Sequence, residues 1–176
     1  MAPGWSRPVA PAAGVRTTSA WTSPWPEYFL QGRRPETVGR GCAAIYVKTG
    51  DGALVAGAGP IGLLVAAMLK SLGARTIVTE LSEARKAKAL PSGVADYVLD
   101  PSSQDVKEHV LKMTDGIGAD IGFECAGVNE VLDLLLDAVR PAGVIVNVSI
   151  WGHPATVDMQ KLVLKEIDLR GNRVRT

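Results

Sequence analysis

Apolar positions beyond residue 50 keep two alternating rhythms. One is short and mostly apolar, as in Ala53-Leu-Val-Ala56, Thr76-Ile-Val-Thr79, Ala119-Asp-Ile-Gly-Phe-Glu124 and Val144-Ile-Val-Asn-Val148. Runs of this length, rich in β-branched residues and bounded by Gly, Pro or Asp, predict buried strands. The other rhythm is longer and helical. Leu63–Leu72 is largely apolar, Ser82 precedes a polar helix ending at Leu90, and Val106, Val110 and Met113 form a stripe at helical spacing. Val128–Val139 follows as a strongly apolar helix, and Met159–Lys165 as a short one. Asp96–Leu99 and Ile167–Arg170 complete a set of six predicted strands. Strands alternating with helices imply right-handed crossovers and a parallel sheet. The fold class is therefore α/β, a doubly wound six-stranded sheet in the order 3-2-1-4-5-6, with its ligand at the switch point between strands 1 and 4.

Between the first strand and the first helix lies Gly57-Ala-Gly59-Pro60-Ile61-Gly62. In a G-x-G-x-x-G turn, Gly57 lets the chain leave the strand sharply, and Gly59 admits a pyrophosphate to the backbone. Gly62 brings helix and strand close together. Pro60 and Ile61 supply the first helical turn, where proline lacks no needed N–H. Free N–H groups and the positive end of the helix dipole then face an anion. Glu80 ends the second strand about 20 residues on, where a carboxylate accepts hydrogen bonds from a ribose 2′-hydroxyl and repels a 2′-phosphate. This Rossmann-type arrangement predicts a dinucleotide site that takes NAD rather than NADP.

Composition refines this picture at the N-terminus. Residues 1–50 hold six of the eleven prolines and three of the four tryptophans, with no persistent period. The expectation there is an irregular, disordered segment, with a dinucleotide-binding domain over 51–176. The first 50 residues carry six basic and two acidic side chains, and the remaining 126 carry thirteen and sixteen. A mildly acidic body suits a domain that binds its anion through backbone and dipole; no nucleic-acid partner is expected. Cys42 and Cys125 make neither a disulfide framework nor a zinc cluster. No run of 18 apolar residues occurs, so no membrane partner is expected. Pro3, Pro8 and Pro11 break any apolar leader core, and a cytoplasmic location is the default expectation.

The glycine turn, Glu80, Gly118–Gly127, Val139–Gly143 and Leu164–Gly171 together resemble the coenzyme domain of medium-chain, zinc-type alcohol dehydrogenases, most of all the 2,3-butanediol and sorbitol dehydrogenases. The resemblance spans about residues 51–171. It implies a nicotinamide cofactor and hydride transfer to or from a secondary alcohol or diol. It puts Arg85 at a position that reaches the adenosine ribose. It puts Cys125, Ala126 and Gly127, with Val148, Ser149 and Ile150, along the nicotinamide side. A homo-oligomer built through the sixth strand is a further expectation.

The family's Gly-His-Glu zinc motif is absent, residues 1–50 have no histidine, and the four-cysteine zinc loop is missing. His109 and His153 stand far apart in sequence. No catalytic residue and no metal ligand is therefore assigned in this chain, although zinc belongs to the family. Two readings remain open: the NAD-binding domain of an oxidoreductase, or a non-catalytic NAD-binding fragment lacking the zinc catalytic domain. A short-chain dehydrogenase would need Lys four residues after a Tyr, yet Tyr28, Tyr46 and Tyr97 are followed there by Gly32, Gly50 and Pro101. A P-loop would need Lys after its last glycine, where Leu63 stands.

Overall fold

The computed structural model describes residues 47–171. The irregular segment expected over 1–50 thus lies outside the described residues, except for 47–50, which turn into the first strand. Six strands, β1 (Gly52–Ala56), β2 (Arg75–Thr79), β3 (Tyr97–Leu99), β4 (Ala119–Glu124), β5 (Val139–Asn147) and β6 (Asp168–Gly171), alternate with five helices. The helices are α1 (Pro60–Ser71), α2 (Glu83–Ala89), α3 (Val106–Met113), α4 (Asn129–Ala138) and α5 (Met159–Leu164). All pairings are parallel, and the sheet order is β3-β2-β1-β4-β5-β6.

That order follows from handedness. A right-handed crossover from β1 to β2 puts its helix on one face, and one from β4 to β5, running the other way across the sheet, puts its helix on the opposite face. The core divides accordingly. Ala53, Val55, Val78, Phe123 and Val146 of the strands pack with Val65, Ala66 and Leu69 of α1 and Ala89 of α2. Leu54, Ala56, Ile77 and Ile145 pack with Val106 and Val110 of α3 and Leu132, Leu135 and Leu136 of α4. Leu54, Leu69 and Leu135 are 0% exposed, each worth roughly 2 kcal/mol of transfer free energy.

One boundary differs from the expectations. β5 begins at Val139, not Val144: Ala119 pairs with Val139, the register shifts, and Ile121 pairs with Val144. Pro141-Ala-Gly143 is therefore a bulge within the strand rather than a turn before it. Arg140 braces it, donating to Asp120 at 2.8 Å and to the Pro141 carbonyl at 2.9 Å. The helix expected through Val106, Val110 and Met113 is α3, and Asp105 caps it, its carboxylate accepting from the Glu108 N–H at 2.9 Å.

Candidate functional site

The site is assembled at the carboxyl ends of β2, β1, β4 and β5. The chain leaves β1 through Gly57, whose φ of 109° is open to glycine and strained for other residues. Gly57 N–H is held by the Thr79 carbonyl at 2.9 Å, which ties the turn to β2. Gly59 is the N-cap of α1. Among the described residues a Cβ there would meet nothing within 4 Å, so the space directly over the helix N-terminus is open. Pro60 is the first helical residue and Ile61 the second.

The N-terminus of α1 has neither a side-chain cap nor an acid in its first turn. Among the described helices it is alone in this: α3 and α5 are capped by Asp105 and Asp158, and α2 and α4 carry Glu83 and Glu130. Its first N–H groups lack intrahelical acceptors, and the dipole adds about half a positive charge. An uncapped helix end beneath an open glycine fits a diphosphate.

Two buried carboxylates flank this turn, one on each side of β1. Glu80, 7% exposed, accepts the Ala58 N–H through Oε2 at 2.9 Å and the Leu81 and Ser82 N–H groups through Oε1, each at 2.9 Å. Arg85 Nη1 lies 3.6 Å from Oε2. Burial alone would push the Glu80 carboxyl up; the backbone donors and Arg85 outweigh it and hold the group below its ordinary value. A carboxylate has about four acceptor positions. Three are filled by N–H groups, leaving one on Oε2 beside Arg85. Glu80 thus fixes the glycine turn, a task the sequence did not suggest, and keeps one acceptor position open. Ser82, expected to cap α2, makes no side-chain cap bond there.

The second carboxylate, Glu124, was not singled out in the sequence. It is 0% exposed and closes β4. Its Oε1 accepts from the N–H groups of Ala126 at 2.9 Å and Gly127 at 2.6 Å, and its Oε2 from the Ser149 hydroxyl. The usable signal was an acid at the end of a mostly apolar central strand, directly before a small-residue loop. Cys125 is half-buried, Ala126 exposed, Gly127 half-buried, Val148 buried, Ser149 half-buried and Ile150 97% exposed. The structure therefore brings all the nominated residues to one edge of the sheet. His153 lies outside this group, its ring edge-on to Trp151 at 5.7 Å. Among the described residues no three His, Cys, Asp or Glu side chains gather as a metal site. These residues do not fit a zinc ion, and no chemical step is assigned to one.

Residues 60–176 match the family model described as zinc-binding dehydrogenase. The chain belongs to the zinc-binding dehydrogenase family. It is 61% identical over 124 residues to an (R,R)-butanediol dehydrogenase of Neisseria gonorrhoeae, a match covering 70% of this chain and 35% of that protein. It is 38% identical over 130 residues to a sorbitol dehydrogenase of Halalkalibacterium halodurans, covering 72% and 38%. The crystal structure of 2R,3R-butanediol dehydrogenase from Bacillus subtilis superposes with a TM-score of 0.73 at 38% identity, over 80% of this chain and 40% of that one. L-idonate 5-dehydrogenase from Escherichia coli gives 0.74 at 28% identity, over 86% and 43%. The chain thus spans between a third and two-fifths of the length of these two curated relatives. The matched part is the family's coenzyme-binding region.

Proposed function

We propose that this chain binds NAD in preference to NADP, as the coenzyme-binding part of a dehydrogenase that moves a hydride between a secondary alcohol or diol and the nicotinamide. The observation that carries the proposal is the pairing of an open, uncapped helix N-terminus at Gly59 with a buried carboxylate at Glu80. The first suits a pyrophosphate, and the second suits a ribose diol. A 2′-phosphate would bring two negative charges against Glu80 in a poorly solvated corner. The (R,R)-butanediol dehydrogenase likeness supports a vicinal diol as the substrate class of the whole enzyme.

Calorimetric titration of the 176-residue chain with both cofactors tests this. NAD should bind at least about tenfold more tightly, a difference of about 1.4 kcal/mol. Equal or tighter NADP binding would sink the proposal. Glu80→Ala should narrow the ratio, chiefly through lost NAD affinity, because the carboxylate also holds the Ala58 N–H of the turn.

The proposal includes a homo-oligomer through β6. All four residues of this edge strand are exposed, and Met159, Val163 and Leu164 of the adjoining α5 are 60%, 62% and 74% exposed. An exposed edge strand that follows a helix with exposed apolar side chains favours pairing with another chain. Sedimentation should detect a dimer that Leu169→Pro, which forbids ladder pairing at that position, weakens; a strictly monomeric native chain refutes this part. A cytoplasmic setting goes with the proposal, and subcellular fractionation checks it.

A further inference from the structure

Glu124 presents a problem that the binding of phosphate and ribose leaves unsolved. Burying a carboxylate costs several kcal/mol unless its acceptors are filled. Here they are filled by groups of two loops and by none from the packed core. Ala126 and Gly127 belong to the loop after β4, and Ser149 to the loop after β5. The Glu124 backbone carbonyl accepts from the N–H groups of Val148 at 2.9 Å and Ser149 at 3.2 Å. Asn147 extends the tie: its Nδ2 donates to the Ser149 carbonyl at 3.1 Å, and its Oδ1 accepts from Trp151 Nε1 at 2.8 Å. The loops also meet directly, since a Cβ on Gly127 would stand 3.4 Å from the Ile150 carbonyl oxygen.

The position of this knot decides its meaning. Glu80 and Arg85 mark the adenosine ribose on the β2 side of β1, and the glycine turn marks the pyrophosphate. In a doubly wound sheet the rest of a dinucleotide crosses the switch point to the β4 and β5 side. The two loops tied by Glu124 form that side.

We propose that Glu124 is a positioning residue for the nicotinamide half of the coenzyme, its buried carboxylate holding the loops after β4 and β5 in the one arrangement that half can use. This rests on the dinucleotide reading above. It assigns Glu124 no contact with the coenzyme. Errors of about 1 Å in such supporting groups are enough to lower affinity or rate strongly.

The test compares two ligands on the full chain: NADH, which occupies both halves, and ADP-ribose, which lacks the nicotinamide. Glu124→Ala should weaken NADH about tenfold or more and leave ADP-ribose within about twofold. Ser149→Ala removes one donor at a half-buried position and should shift the two ligands in the same unequal way, by about threefold for NADH. A parallel loss of both ligands would mean that Glu124 only supports the fold, and would overturn the proposal, as would unchanged NADH binding. If Glu124→Ala does not fold, the Ser149→Ala ratio decides alone. A native chain that binds neither ligand refutes the dinucleotide reading itself; native binding of both with an equal loss in the variants refutes only the role of Glu124.

Discussion

Gly62→Ala should cost this protein about 3 kcal/mol or more of folding stability. A Cβ built on Gly62 would stand 1.9 Å from the Gly57 carbonyl oxygen and 3.0 Å from its carbonyl carbon. Both are backbone atoms. Overpacking against a side chain costs about 1–3 kcal/mol because the side chain can turn aside. A carbonyl at the exit of a central strand cannot do so without moving the strand end, and Gly57 is also held by Thr79 on β2. The contact is where α1 crosses close over β1, so relief would require the helix to lift from Ala53, Val55 and the rest of its apolar bed. Thermal melts of native and variant chains should differ by on the order of 10 °C. A variant that melts within about 2 °C of the native chain would show that helix and strand are not in the close contact described.

The sequence made the chain's rhythm readable because both faces of a parallel sheet are buried. Ala53–Ala56 is apolar without alternation, and Ala119–Glu124 is apolar or small except at Asp120 and its final residue. The strand order was readable for a second reason, that crossover handedness leaves few alternatives once Gly57–Gly62 fixes the first unit. The start of β5 was not readable. Pro141 and Gly143 are turn residues by local chemistry, and only the pairing of Val139 with Ala119, braced by Arg140 and Asp120, turns them into a bulge. The same limit applied to Glu80. Its place after β2 suggested a ribose acceptor, but the three backbone N–H donors that converge on it come from two loops, and one of them, Ala58, lies 22 residues from Glu80 in sequence. Glu124 was hidden most completely. Its last partner, Ser149, lies 25 residues downstream, and the acid at the strand end, though a signal, shows its burial and its partners only in the fold.

Gly59→Val separates binding from folding where Gly62→Ala cannot. Gly59 has φ −68° and ψ 176°, values that any residue adopts, and a side chain there meets nothing within 4 Å. Valine at an N-cap is less favourable than glycine, a cost of about 1 kcal/mol at most, so the circular dichroism spectrum should hardly change. The ligand, however, needs the volume that the isopropyl group would fill. In the proposed site the pyrophosphate reaches the uncapped N–H groups of α1 across the bare Cα of Gly59, and a branched side chain there would hold it away from the helix end. Charge–dipole attraction falls off within a single helical turn, so even a small displacement forfeits most of it. NAD affinity should drop at least about tenfold, about 1.4 kcal/mol, with ADP-ribose falling alongside it because both ligands carry the diphosphate. This parallel loss contrasts with the unequal loss expected at Glu124 and Ser149, so the two sets of variants map the two halves of one site. Native affinity in Gly59→Val would mean that the glycine turn serves only the path of the chain, and that the diphosphate does not bind at the N-terminus of α1.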